Sequence, residues 1–227
     1  MLASRGDRPL SNGNVKKTAF LFPGQASQYV GMAKDLYDEF RSVRRLFRKA
    51  SSVLGFDLAD VCFNGPEERL KQTAYTQPAV FVHSCAVDMI LRENGAIAQA
   101  GAGHSLGEYS ALVSAGALSF DAAMQAIARR STAMQRDCED HPGTMAAVMG
   151  LEYEHVELIL RGLSGIVVPA NFNSPGQVVI AGEVDAINEA CEILKEAGAK
   201  RAIPIPVGGA YHSPLMDRSS RVMAEFI

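Results

Sequence analysis

Ser105 lies between two glycines in Gly103-His104-Ser105-Leu106-Gly107, a spacing that can turn a chain sharply from strand to helix and push out a hydroxyl beside backbone N–H groups. Such donors suit an oxyanion, and the serine suits nucleophilic chemistry if a base takes its proton. The same residues also fit a glycine-rich turn whose serine merely caps the helix, and locally both readings stand. His212 lies in a loop before Ser213-Pro214, a place from which an imidazole can be presented to a cleft; a lone loop histidine is otherwise a surface residue. His104 should point away from Ser105 on a strand-like turn, which suits packing or hydrogen bonding, with proton transfer the lesser alternative. His83 falls in an apolar helical pattern and reads as core, while His141 and His155 have no motif around them. Arg129 and Arg130 are adjacent, so on a helix they point about 100° apart and do not both face one pocket.

The elements that must position these groups follow from periodicity and punctuation. Thr18–Phe22 reads as a buried strand ended by Pro23-Gly24 and a loop to Gln28. Helices are predicted over Met32–Phe40, Val43–Leu54 and Pro78–Asn94, the last with proline near its start. A strand over Ala96–Ala102 leads into the elbow, and Leu106–Ala115 forms the next helix. Asp121–Arg136 follows, capped by Ser119. From Gly143 the texture changes to a strand (144–149), helix (152–161), strand (166–170), strand (177–181), helix (184–197) and strand (201–207). That βαββαβ order is the ferredoxin-like pattern, two helices on one face of a four-stranded antiparallel sheet. The expected fold is therefore α/β: an α/β-hydrolase-like large domain over residues 17–141 and 208–227, with a ferredoxin-like small domain inserted over 142–207. Residues 1–16, polar and rich in turn formers, read as a disordered lead-in or tag remnant.

Composition narrows the function classes. A chain of 227 residues can bury a core without staples, and its net charge of −3, with 22 basic and 25 acidic residues interspersed, offers no broad basic field for nucleic acid. Cys62, Cys85, Cys138 and Cys191 are far apart and form neither a Cys-x-x-Cys pair nor a cluster with the histidines, so no metal site is expected. They read as reduced thiols, and with no membrane span or apolar leader evident, the expected location is cytoplasmic.

Four ordered pieces resemble the malonyl-CoA:acyl carrier protein transacylase family and the related acyltransferase domains of polyketide and fatty acid synthases, over about residues 17–227. They are Phe22-Pro23-Gly24-Gln25-Ala26-Ser27-Gln28, the elbow extended from Gly103 to Leu112, Arg130-Ser131-Thr132-Ala133-Met134-Gln135, and Gly209-Ala210-Tyr211-His212-Ser213-Pro214-Leu215-Met216. Asn171-Phe172-Asn173-Ser174-Pro175-Gly176-Gln177 is also similar to that family.

The resemblance implies Ser105 as nucleophile and His212 as its base, the N–H groups of Gln25 and Leu106 as oxyanion hole, and Arg130, rather than Arg129, as the grip on a malonyl carboxylate. Tyr211, Asn171 and His104 complete the implied substrate-binding set; Leu106 and Tyr211 match the malonyl-selective rather than the methylmalonyl pattern. On residue type, Asn171 and Asn173 are expected to serve a turn at the edge of the small sheet. The implied reaction carries a malonyl group from coenzyme A to the phosphopantetheine thiol of acyl carrier protein in fatty acid biosynthesis, with no bound cofactor, no nucleic acid or membrane partner, and a monomeric enzyme. A trans-acting polyketide acyltransferase, a Ser-His thioesterase or hydrolase, and a non-catalytic binding remnant are the alternatives. Family members continue past the histidine motif with further helices, a strand and a glutamine whose backbone carbonyl orients the histidine, so a chain ending at Ile227 is expected to be part of something longer.

Overall fold

A computed structural model describes residues 17–227; the lead-in expected over residues 1–16 lies outside the described residues. The apolar run before Pro23-Gly24 is strand β1 (Ala19–Phe22). Helices α1 (Lys34–Glu39) and α2 (Arg41–Leu54) follow, α2 burying Val43, Phe47 and Ala50 at helical spacing. Two short helices that the periodicity did not reveal come next, α3 (Leu58–Asn64) and α4 (Glu67–Leu70). Asp57 starts α3 by accepting the N–H groups of Ala59 and Asp60.

Helix α5 (Thr73–Glu93) begins five residues before the predicted start at Pro78. Proline forfeits the bond its N–H would have given to the Ala74 carbonyl and crowds that carbonyl with its ring. The turn before it holds because Thr73, Thr76 and Gln77 are buried and hydrogen-bonded. Strand β2 is Ala100–Gly103 rather than Ala96–Ala102, since its limits are set by parallel pairing with β1, Ala19 opposite Ala100 through Phe22 opposite Gly103. Helices α6 (Gly107–Ser114) and α7 (Phe120–Asp140) complete this half of the chain, with Ser119 capping α7 through the Ala122 N–H as expected. α5 and α7 lie together, with Phe81 and Phe120 stacked at 5.4 Å.

The second sheet is built from β3 (Gly143–Met149), α8 (Tyr153–Leu160), β4 (Val167–Ser174), β5 (Gln177–Glu183), α9 (Val184–Glu196) and β6 (Arg201–Ile205). Its strands run in the order β4-β5-β3-β6 and every pair is antiparallel. Val178 and Ile180 join Ala146 and Val148 in a core with residues of α8 and α9, whereas Val179 and Ala181 join Met145 against Met134, Ala210, Tyr211 and Met216. A sheet covered on both faces explains why β5 reads as one apolar run instead of alternating. Each buried valine, isoleucine or methionine here contributes about 1.5–3 kcal/mol by burial, and the second face seats the 208–216 loop against α7. Beyond a 3-10 turn (Pro214–Met216), helix α10 (Asp217–Phe226) packs on α7, where the fully buried Asp137 accepts the Ser219 N–H and hydroxyl. Neither element was signalled by the periodicity. The chain is thus a mixed α/β protein, and no helix among the described residues is long and apolar enough to cross a membrane.

Where β2 passes into α6 the backbones nearly touch. A Cβ on Gly107 would lie 2.1 Å from the Phe22 carbonyl oxygen, and one on Gly103 would lie 2.1 Å from the carbonyl of Gly107. Gly107→Ala must therefore push α6 off β1, and a loss of about 3 kcal/mol is expected, a fall of roughly 6–12 °C in Tm. Thermal denaturation beside Gly162→Ala, whose Cβ would meet only the Ile159 carbonyl oxygen at 3.4 Å, checks it; equal Tm values would show the crossing to be slack.

Candidate active site

The close crossing of β1, β2 and α6 forces Ser105 into the left-handed region, with φ of 50°. Such backbone costs a non-glycine residue about 1–3 kcal/mol and persists only where its surroundings impose it. His212 is also left-handed, φ 61°, and its Nε2 lies 2.8 Å from Ser105 Oγ. The loop is pinned on both sides of the ring. Tyr211 and Ser213 are buried, Ser213 Oγ donates to the Ala210 carbonyl at 2.6 Å, and the Leu215 N–H donates back to it at 3.2 Å. Among the described residues Ser105 Oγ accepts no N–H from α6, so the serine meets an imidazole and does not cap the helix.

Arg130 projects from α7 into the same space. Its Nη2 lies 3.3 Å from Ser105 Oγ and its Nη1 donates to Gln77 Oε1 at 2.5 Å. Arg129 turns away, exposed, with its guanidinium 4.7 Å from the Phe226 ring. Gln77, wholly buried, donates in turn to Thr73 Oγ1 at 2.9 Å and to Met134 Sδ at 3.3 Å, and the Thr73 hydroxyl donates to Gln25 Oε1 at 2.5 Å. An unbroken polar chain therefore runs from the loop after β1 through the first turns of α5 to the arginine. Sequence reasoning missed Gln77 and Thr73. The available signal was polar residues four apart in phase with the buried face of α5, just ahead of Pro78.

The remaining expected residues are placed as follows. Leu106, fully buried, opens the first turn of α6. Neither its N–H nor that of Gln25 donates a hydrogen bond among the described residues. Tyr211 is buried with Thr73 and Cys138 beside its hydroxyl, and burial pushes its pKa up to about 12, so it stays a phenol. Asn171 is not in a turn: β4 runs four residues past its predicted stretch, with a register shift between Pro169 and Asn171. The Asn171 Nδ2 instead reaches His104 Nε2 at 3.1 Å across the groove between the two sheets. The His104 side chain thus meets the second sheet, while its backbone N–H donates to the Phe22 carbonyl.

Electrostatics set the protonation state. The His212 ring keeps an exposed edge, yet partial desolvation, then the positive charge of Arg130, then His104, hold its pKa below the ordinary 6.5. Burial also lowers Arg130 from 12.5, but a guanidinium stays charged at any physiological pH. The site thus holds an imidazole ready to accept a proton beside a fixed cation with one side open. An open cavity of about 510 Å³ reaches the groups from the side of Arg130, His212 and Met134, and one of about 300 Å³ from the side of Gln25, Thr73 and Tyr211.

Residues 19–227 match the model of the acyl transferase domain family. The chain is 41% identical over 216 residues to the malonyl CoA-acyl carrier protein transacylase of Bacillus subtilis, covering 94% of this chain and 68% of that one. Among solved structures it superposes on MCAT from Streptococcus pneumoniae with a TM-score of 0.86 and 45% identity, over 92% of this chain and 69% of that one. It also superposes on the malonyl-transacylase in a complex with its type II PKS acyl-carrier protein, with a TM-score of 0.87 and 42% identity, over 93% and 69%. The chain therefore spans about two thirds of the length of the relatives it matches.

The Arg130–His212 coupling can be measured directly. Following the His212 ring by NMR titration should give a pKa below 6.5. Arg130→Gln removes a cation, which favours the protonated ring, so the pKa should rise toward that value. A fall, or no change, would remove the arginine as a cause.

Proposed function

The chain belongs to the malonyl CoA-acyl carrier protein transacylases of the acyl transferase family, and from that membership we propose that it carries a malonyl group from coenzyme A to the thiol of an acyl carrier protein through an ester on Ser105. The observation that carries this reading is Arg130 Nη2 at 3.3 Å from Ser105 Oγ: a half-buried cation aimed at a nucleophile suits an acyl group that ends in a carboxylate. In fold terms, the same reading takes residues 17–141 and 208–227 as an α/β-hydrolase-like domain and 142–207 as an inserted ferredoxin-like one. The strand order and the elbow support it.

In the first half-reaction His212 Nε2 takes the Ser105 proton while Oγ bonds to the thioester carbonyl carbon. Negative charge moves to the carbonyl oxygen, where the N–H groups of Gln25 and Leu106 receive it; being fixed already, they stabilise it without reorganising. Collapse breaks the C–S bond, and the coenzyme A sulfur leaves with the proton held by His212. In the second half the phosphopantetheine thiol gives its proton to His212 and attacks the ester, and Ser105 leaves as the restored hydroxyl. Arg130 holds the carboxylate throughout, oriented by Gln77. Tyr211 closes the pocket beside the α-carbon, and the Asn171–His104 bond draws the second sheet over the groove, limiting water. The reading includes no resident cofactor and a monomeric enzyme in the cytoplasm. The similarity to a malonyl-transacylase that serves a type II PKS carrier protein gives a second reading the same chemistry with a polyketide carrier; comparing rates with carrier proteins of the two kinds separates them.

Intact-mass analysis after malonyl-CoA tests the reaction. One malonyl adduct is expected, absent in Ser105→Ala, stable in water and released by holo carrier protein; loss of the ester to water would indicate a hydrolase. Breaking a buried charge pair costs about 3–5 kcal/mol, so Arg130→Ala should slow malonylation by roughly 100-fold or more while admitting acetyl groups. Unchanged selectivity would reject the carboxylate role. Gln77→Leu removes a hydrogen bond to a charged group, worth about 1.5–3 kcal/mol. KM for malonyl-CoA should rise about 10-fold or more with Ser105 still acylated, and an unaltered KM would dismiss Gln77 as the orienting residue.

A further inference from the structure

Helix α2 lies outside the site just described and carries an unusual charge pattern. It holds Arg41, Arg44, Arg45, Arg48 and Lys49, five of the chain's 22 basic residues, and no acidic residue. Neighbours on a helix surface are three and four residues apart. Arg41–Arg44, Arg45–Arg48, Arg41–Arg45 and Arg44–Arg48 are all such pairs, and every one is repulsive. Lys49 is relieved by Asp121 at 2.9 Å, but Arg41, Arg45 and Arg48 are exposed and form no ion pair or hydrogen bond among the described residues. The other surface ion pairs show that the chain commonly places an acid within a turn of a base, as in Lys34–Asp38, Lys71–Glu67 and Arg161–Glu157. On α2 it does not.

Four of these arginines share one cavity. Arg41, Arg44, Arg45, Arg48 and Tyr37 line one cavity of about 410 Å³ with no carboxylate in its wall. Arg44 is already held, its Nη1 donating to the carbonyls of Tyr37 and Asp38 at 2.6 and 2.8 Å. The Tyr37 ring is wedged edge-on against Phe47 and Phe63 at 5.5 and 5.1 Å, which makes that wall rigid. The groove therefore has one fixed arginine, a firm aromatic side and three arginines free to close over a ligand. Guanidinium forks match phosphate oxygens in pairs, and several adjacent phosphates would neutralise the repulsion that the helix otherwise carries.

We propose that the groove of Tyr37, Arg41, Arg44, Arg45 and Arg48 is a binding site for a ligand bearing two or more linked phosphates. The ligand is small, because the cavity is of ligand size and walled by a fixed ring, whereas an acidic protein helix would need only the exposed stripe. The site is separate from acyl transfer and does not rest on that reading. Free polyphosphate and the diphosphate of a nucleotide or of coenzyme A share the required chemistry.

Calorimetric titration of the whole chain at constant ionic strength tests this, with sodium tripolyphosphate, ADP and coenzyme A as separate probes. Saturable one-site binding of tripolyphosphate is expected, at least 10-fold weaker in Arg45→Glu/Arg48→Glu. Binding of tripolyphosphate alone identifies free polyphosphate as the source; equal sensitivity of ADP or coenzyme A to the double substitution identifies the nucleotide diphosphate. Without ligand the double variant should melt no lower than the parent, since it loses repulsion, and tripolyphosphate should raise the Tm of the parent only. If the charge reversal unfolds the chain, Arg45→Gln/Arg48→Gln serves the same comparison. Absence of saturable binding, equal binding by parent and variant, or binding of poly-glutamate in place of tripolyphosphate would overturn the proposal, the last by making the stripe a protein-docking face.

Discussion

The backbone of Gly107 rests against the carbonyls of Phe22 and Pro23 with no room for a Cβ, and the geometry of the site follows from that contact. It brings the ends of β1 and β2 under the start of α6, which leaves Ser105 no option but a left-handed turn. The same contact sets the loop after β1 against the elbow, where Gly24 lies beside His104. Gly103 serves the crossing from the other side, and Gly24, whose Cβ would lie 2.7 Å from the His104 carbonyl oxygen, keeps the loop close. The strain at Ser105 is held in place by packing of backbone on backbone, which has no softer way to relax.

A second layer of order is polar. The chain of hydrogen bonds from Gln25 through Thr73 and Gln77 to Arg130 links three elements distant in sequence. It consumes the donors and acceptors of buried groups that would otherwise be costly, and it aims one edge of the guanidinium at the serine. Desolvation of the His212 ring, and after it the charge this chain fixes, hold the imidazole below its ordinary pKa and so able to accept a proton.

The four-stranded sheet matters to the site through its second face. Because β3 and β5 bury side chains on both sides, the face turned from α8 and α9 is free to seat Ala210, Tyr211 and Met216. That seat, with Asp137 holding the start of α10, fixes the loop that presents His212. The sheet lies between α7 and α10 in the chain, and β6, the strand that ends it, leads directly into the loop that carries His212.

Much of this was legible in the residues. The serine between two glycines, the Ser119 cap and the alternation of strands and helices after Gly143 are local properties, and local physics determines them, whereas the lack of room for a Cβ on Gly107 comes from Phe22, a contact only the fold makes. The order of motifs pointed to the family and to Arg130 over Arg129. The rest depended on contacts between distant segments. The limits of β2 are set by its partner strand, the start of α5 by buried partners that outweigh the proline rule, and the reach of Asn171 to His104 by the seating of one sheet over another. Gln77 was hidden for the same reason, because a glutamine ahead of a proline gains a role only when an arginine 53 residues away is folded against it. Spacing along the chain thus fixed which groups could react, and tertiary packing alone decided which of them meet, because hydrogen bonds and charge effects depend on distances that sequence separation does not encode.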